Sequence, residues 1–164
     1  MSCDVLQLQR KASCIVSRVI QHREDTSFMR PHIGCIMSTL QTASDETVLA
    51  NTVVCIYNLT LESSAISDLL LQKGFSILAA MKRMIKAVRV PRILRENCIA
   101  VTCNFAILGM MGLEVDDMLP AIVKCLETTQ DEINIVTMLS MFNTTYCNSG
   151  DGVQVLYCII LLFY

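Results

Sequence analysis

One turn-bounded apolar pattern recurs along this chain, and each clear copy closes on an asparagine. The copies are Glu46-Thr-Val-Leu-Ala-Asn-Thr-Val-Val-Cys-Ile-Tyr-Asn58, Arg92-Ile-Leu-Arg-Glu-Asn-Cys-Ile-Ala-Val-Thr-Cys-Asn104 and Asp131-Glu-Ile-Asn-Ile-Val-Thr-Met-Leu-Ser-Met-Phe-Asn143. A fainter copy over Val5 to Ile20 carries Arg18 at the closing position. The closing residues stand 40, 46 and 39 positions apart. A period of about forty residues predicts a helical solenoid, in which each unit buries its apolar face only by stacking on its neighbours.

Composition agrees. Hydrophobic residues make up 53% of the 164 and charged residues 17%, which excludes a disordered chain. Six glycines and three prolines are too few breakers for a many-turned β-fold, so the class is all-α. A net charge of −2 argues against general nucleic-acid binding. Nine cysteines, an odd number with no Cys-x-x-Cys pair, read as free thiols packed like small hydrophobes. The first fifteen residues include Asp4, Arg10 and Lys11 and lack the apolar segment of a signal peptide. A reducing compartment, the cytoplasm, is the expectation. Asn58-Leu-Thr60 and Asn143-Thr-Thr145 match the glycosylation acceptor pattern. Both asparagines occupy one repeat position on helices, so a structural role is expected for them.

The units follow one order. Ser44-Asp45-Glu46 offers an N-cap and early acids to the long helix of residues 47–61. After Glu62-Ser63-Ser64, a short helix carrying Ile66 and Leu69 to Leu71 is expected to close on Lys73-Gly74, with the next unit starting over Ser76 to Ala87. Pro91 precedes a long helix over 92–108, and Gly109 and Gly112 mark its end. Ala121 to Leu126, then Thr128 to Glu132, repeats Ile36 to Leu40 followed by Thr42 to Glu46. The units divide approximately as 1–31 (partial), 32–74, 75–119 and 120–164 (incomplete), in one array. The charge-free Val153 to Tyr164 is shorter than the roughly 20 residues of a membrane span. It reads as the start of a further unit, and the chain as a piece of a longer array.

His32-Ile-Gly-Cys-Ile-Met-Ser-Thr-Leu40, Ser44 to Leu59 and Leu70-Leu-Gln-Lys-Gly74 together resemble one armadillo repeat, with a pattern shared in part with HEAT repeats. The resemblance covers roughly residues 5–147 and implies a right-handed α-α superhelix. It also implies a concave groove lined by the long helices. There the asparagines matched by Asn58, Asn104 and Asn143 hold an extended peptide by its backbone, since an amide both donates and accepts. Asn51 and Asn97, seven residues earlier, return to the same helix face, and Arg18 takes the place of asparagine in the first copy. The competing reading is that these amides satisfy carbonyls within their own repeat. Cys14, Val54, Ala100 and Leu139 stand where nuclear-import members of the family carry tryptophan, which argues against recognition of nuclear-localisation peptides. Val136 replaces the paired asparagine in the third copy.

Lys82, Arg83, Lys86, Arg89, Arg92 and Arg95 form a basic run suited to an acidic segment, anionic lipid or RNA, or else to a solvated turn. Glu114, Asp116, Asp117, Glu127, Asp131 and Glu132 follow it. His22 and His32 stand apart, and no phosphate loop, nucleophile elbow or metal-ligand spacing occurs, so neither enzyme chemistry, a cofactor nor a metal is expected. The expected function is a non-catalytic scaffold or adaptor that binds protein segments. Armadillo-type arrays serve in ciliary and flagellar assembly, at cell junctions, in vesicle traffic and in the nucleus. The alternatives are a targeting segment of a larger enzyme, such as a ubiquitin ligase, and a basic lipid- or RNA-binding array.

Overall fold

The computed structural model describes residues 4–23, 25–61, 72–109 and 117–144. Seven α-helices lie among them: α1 (Val5–Gln21), α2 (Ile33–Thr42), α3 (Glu46–Thr60), α4 (Gly74–Lys86), α5 (Arg92–Ile107), α6 (Leu119–Thr128) and α7 (Glu132–Phe142). A 3-10 turn, Ser27–His32, leads into α2, and the described residues contain no strand.

Local chemistry sets the ends. Asp4, Asp45 and Asp131 are N-caps whose carboxylates accept from Leu6 N, from Thr47 N and Val48 N, and from Asn134 N. Each satisfies donors that the first helical turn leaves unpaired. Pro91, extended at φ −54° and ψ 143°, stops the preceding turn and starts α5. Gly109, at φ 90°, adopts a left-handed conformation that suits glycine after a helix end, while Leu108 N closes on Asn104 O at 2.9 Å. Lys73-Gly74 stands where one helix gives way to the next, as expected of a helix end: Gln72 is helical, Lys73 is a turn residue and the N-cap of α4, and α4 begins at Gly74. The pair marks a junction, and a flexible residue there fits the start of one helix as well as the close of another. The short helix expected over residues 66–71, Gly112 and the apolar Val153–Tyr164 segment lie outside the described residues.

The long helices pack in chain order, α1 on α3, α3 on α5 and α5 on α7. Each short helix pairs with the long one after it, as α2 with α3, α4 with α5 and α6 with α7; α2 also meets α4, and α6 meets α5. One repeat position, ten residues before each closing residue, reports what this order does. Val48 and Leu94, on the inner helices, are 4% and 2% exposed. Their equivalents on the outer helices, Leu8 and Ile133, are 58% and 65% exposed. Among the described residues, the same side-chain class is dry on a long helix packed between two others and wet on one packed against a single other.

The core runs through every helix pair, with Ile56, Leu59, Ile77, Met81, Ile99, Phe105, Met118, Ile122 and Met138 fully enclosed. The helix α5 is the centre. Its residues 98–106 are all buried, including Ala100, Val101 and Asn104. Above it Tyr57, on α3, reaches Thr137, on α7, at 3.3 Å. The Thr137 hydroxyl donates to Ile133 O, so the Tyr57 phenol is the donor in the bridge.

Candidate functional site

The polar residues of the long helices fall into relays. Asn51 Nδ2 donates to Ser13 Oγ (3.0 Å), which donates to Arg10 O (3.0 Å). Asn104 Nδ2 donates to Thr60 Oγ1 (2.9 Å), which donates to Tyr57 O (2.6 Å). Tyr57 and Thr137 repeat the scheme between α3 and α7. In each, a side chain of one helix donates to a hydroxyl on another, whose own proton returns to a backbone carbonyl three or four residues back. The hydroxyl is thereby satisfied as donor and acceptor, which removes the penalty of burying it.

This arrangement gives two of the expected groove asparagines, Asn58 and Asn104, partners within the fold. Asn104 is 5% exposed and serves as a bridge between α5 and α3 instead of facing a ligand. The repeat register fixes which side of a helix a residue occupies but not what packs there; at Asn104 it is Thr60 of α3. Asn58 donates to Val54 O at 2.9 Å within its own helix. Asn97 is half-buried, and Asn143 and Arg18 are exposed, so the six residues do not present one continuous ladder.

The basic run divides between structure and surface. Lys82 pairs with Asp117, and its hydrogen bond holds that carboxyl below the usual carboxylate range. Arg92 pairs with Glu96 at 2.6 Å and donates to Thr128 O at 2.7 Å, placing a cation at the negative end of α6. Arg95 Nη2 donates to Ala87 O and Val90 O, tying the α4–α5 turn to the helix that follows it. Arg83, Lys86 and Arg89 are exposed.

Sequence reasoning missed a cleft among the described residues. A cleft of about 680 Å³ opens between α1, α2 and the start of α3. Leu6, Gln9, Ala12, Ser13 and Val16 of α1 line one side. Phe28, Met29, His32, Cys35, Ile36 and Thr39 line the other. Asp45, Val48, Thr52 and Cys55 form the back. Asp45 is held by Arg10 (2.7 Å) and by its capping bonds, so its carboxyl stays below the usual range and its charge is neutralised where it stands. Arg23 lies 5.8 Å from the Phe28 ring centroid and steadies the rim.

The cleft lining mixes apolar side chains with hydroxyl and thiol groups, His32 and the Arg10-paired Asp45. Cys55, at the back, is pushed up by burial to about 12, far from the thiolate that reacts. Burial also raises Cys98 to about 12, Cys125 to about 11 and Cys103 further, and the described cysteines are all free. Among the described residues no group of three metal-ligating side chains gathers, and no helix is long and apolar enough to cross a membrane.

Comparison with protein-family models, with curated proteins and with solved structures returned no match.

Proposed function

We infer that this chain is a non-catalytic interaction module, an armadillo-like helical array that holds a segment of a partner protein. The observation that carries the reading is the open cleft of about 680 Å³ beside α1, walled by Leu6, Val16, Phe28 and Ile36. Concave apolar surface with scattered polar groups is what a docked segment needs, since apolar contact supplies affinity and the hydroxyls fix register. The chain-ordered packing of the long helices and the burial gradient from inner to outer units support the array. Tyr57 reaching across to Thr137 supports a layer curved tightly around α5. In this reading the partner lies at the α1–α2 side, because Asn104, at the middle of the long-helix face, is taken up by Thr60 of α3. The free thiols suit a reducing compartment such as the cytoplasm.

A random 12-residue peptide library displayed on phage and panned on the full chain tests the reading. Selected peptides are expected to lose most of their affinity for Phe28→Ala or Val16→Asp and to keep it for Arg83→Ala, with helical circular dichroism unchanged in all three. Peptides indifferent to both cleft substitutions would place binding elsewhere and overturn it.

A further inference from the structure

The outer side of α1 carries a second feature beside the cleft. Val5, Leu8, Ala12, Ile15 and Val19 recur at alternating steps of three and four residues, and all five are exposed. Alternation of three and four is the seam on which one helix receives another, side chains of each entering spaces on its partner. The seam runs over fifteen residues, about 21 Å of helix at 1.5 Å per residue, enough for four turns of a partner.

Its two edges differ. At about 100° per residue, Leu6, Gln9, Ser13 and Val16 fall on one side of the seam, where they continue into the cleft. Lys11 and Arg18 fall on the other side and are exposed. Between Val5 and Gln21 there is no acid, and the remaining cation of α1, Arg10, is taken up by Asp45. The seam is thus apolar along its length, walled by the cleft on one edge and positive on the other.

We propose that this face of α1 docks an amphipathic helix of a partner protein, one with apolar residues at three–four spacing and acids along a single edge. The apolar side of that helix lies on Leu8 and Ile15 and leans into the cleft, and its acids meet Lys11 and Arg18. The proposal deepens the interaction-module reading and rests on it. Spacing selects a helix over an extended strand, and the exposed Lys11 and Arg18 select the acidic edge, which sets orientation and rejects basic helices.

The test uses a synthetic peptide of three heptads with leucine at the first and fourth positions and glutamate at the second and fifth, which fall on one edge of the leucine stripe. A second peptide carries lysine in place of glutamate. The glutamate peptide is expected to bind the full chain saturably and more weakly as salt rises. Leu8→Asp or Ile15→Asp should weaken it about tenfold or more, the scale of withdrawing one buried leucine. The double change Lys11→Glu and Arg18→Glu should reverse the preference toward the lysine peptide. These residues are exposed, so helical circular dichroism should hold in every variant. Equal binding of both peptides, or indifference to Leu8→Asp and Ile15→Asp, would overturn the proposal. So would a dimer in light scattering that Leu8→Asp dissolves, since a second copy would then cover the seam. If the designed peptides fail while phage-selected ones still respond to Phe28→Ala, the seam proposal falls and the interaction module stands. If neither responds, both fall.

Discussion

Two residues show how a single side chain serves more than one helix. Asn104 is buried and gives its amide to Thr60, so Asn104→Ala should cost about 1–2 kcal/mol in urea unfolding, the range for a lost buried hydrogen bond. Asn58→Ala, which removes a bond inside one helix turn, should stay within about 0.5 kcal/mol. Equal costs would mean the relay contributes nothing. Asp45 caps α3 and accepts from Arg10, and these bonds depress its pKa. A carboxyl with a lower pKa in the folded than in the unfolded chain stabilises above the unfolded value of about 3.9, and that contribution fades as pH falls through the folded value. Unfolding followed from pH 6 down to pH 2 should therefore show part of the acid loss disappear in Asp45→Asn; identical pH profiles would count against the pair. The cap of α3 was legible within Ser44-Asp45-Glu46 because the signal is local, a short polar run directly before an apolar helix. Asn104 was not legible as a bridge, because no local pattern states what lies over a helix face.

At the scale of elements, the recurring apolar register gave the four long helices within a residue or two, and Pro91 and Gly109 bounded α5 as expected. The 3-10 turn before α2, with Pro31 inside it, was not anticipated, since a single turn has no periodicity to read. The cleft was equally hidden: it is assembled from three helices and that turn, none of which is distinctive alone. The burial gradient makes a prediction for equivalent residues. Leu94→Ala, on the inner α5, should destabilise by about 2–5 kcal/mol. Ile133→Ala, at the same repeat position on α7, should change stability by no more than about 0.5 kcal/mol. Chemical denaturation of the two variants settles the comparison. Similar losses would mean that repeat position, and not the presence of neighbours, determines burial.

For the whole molecule, the claim beneath both functional readings is that the long helices are layered in chain order, with the outer side of α1 uncovered among the described residues. Tyr57 meeting Thr137 brings α3 and α7 together beside α5, so distances between the long helices test the order directly. Gln7, Thr47, Ile93 and Glu132 suit the purpose: each stands eleven residues before a closing position, and each is exposed. Spin labels introduced there as unnatural amino acids, leaving the cysteines untouched, report distances between helices by pulsed electron resonance. At about 8–10 Å per layer, Gln7 to Ile93 should be near 20 Å and Gln7 to Glu132 clearly longer, approaching 30 Å less the curvature. A Gln7–Glu132 distance equal to or shorter than Gln7–Ile93 would mean that α7 folds back beside α1 in a closed bundle, and would contradict the account.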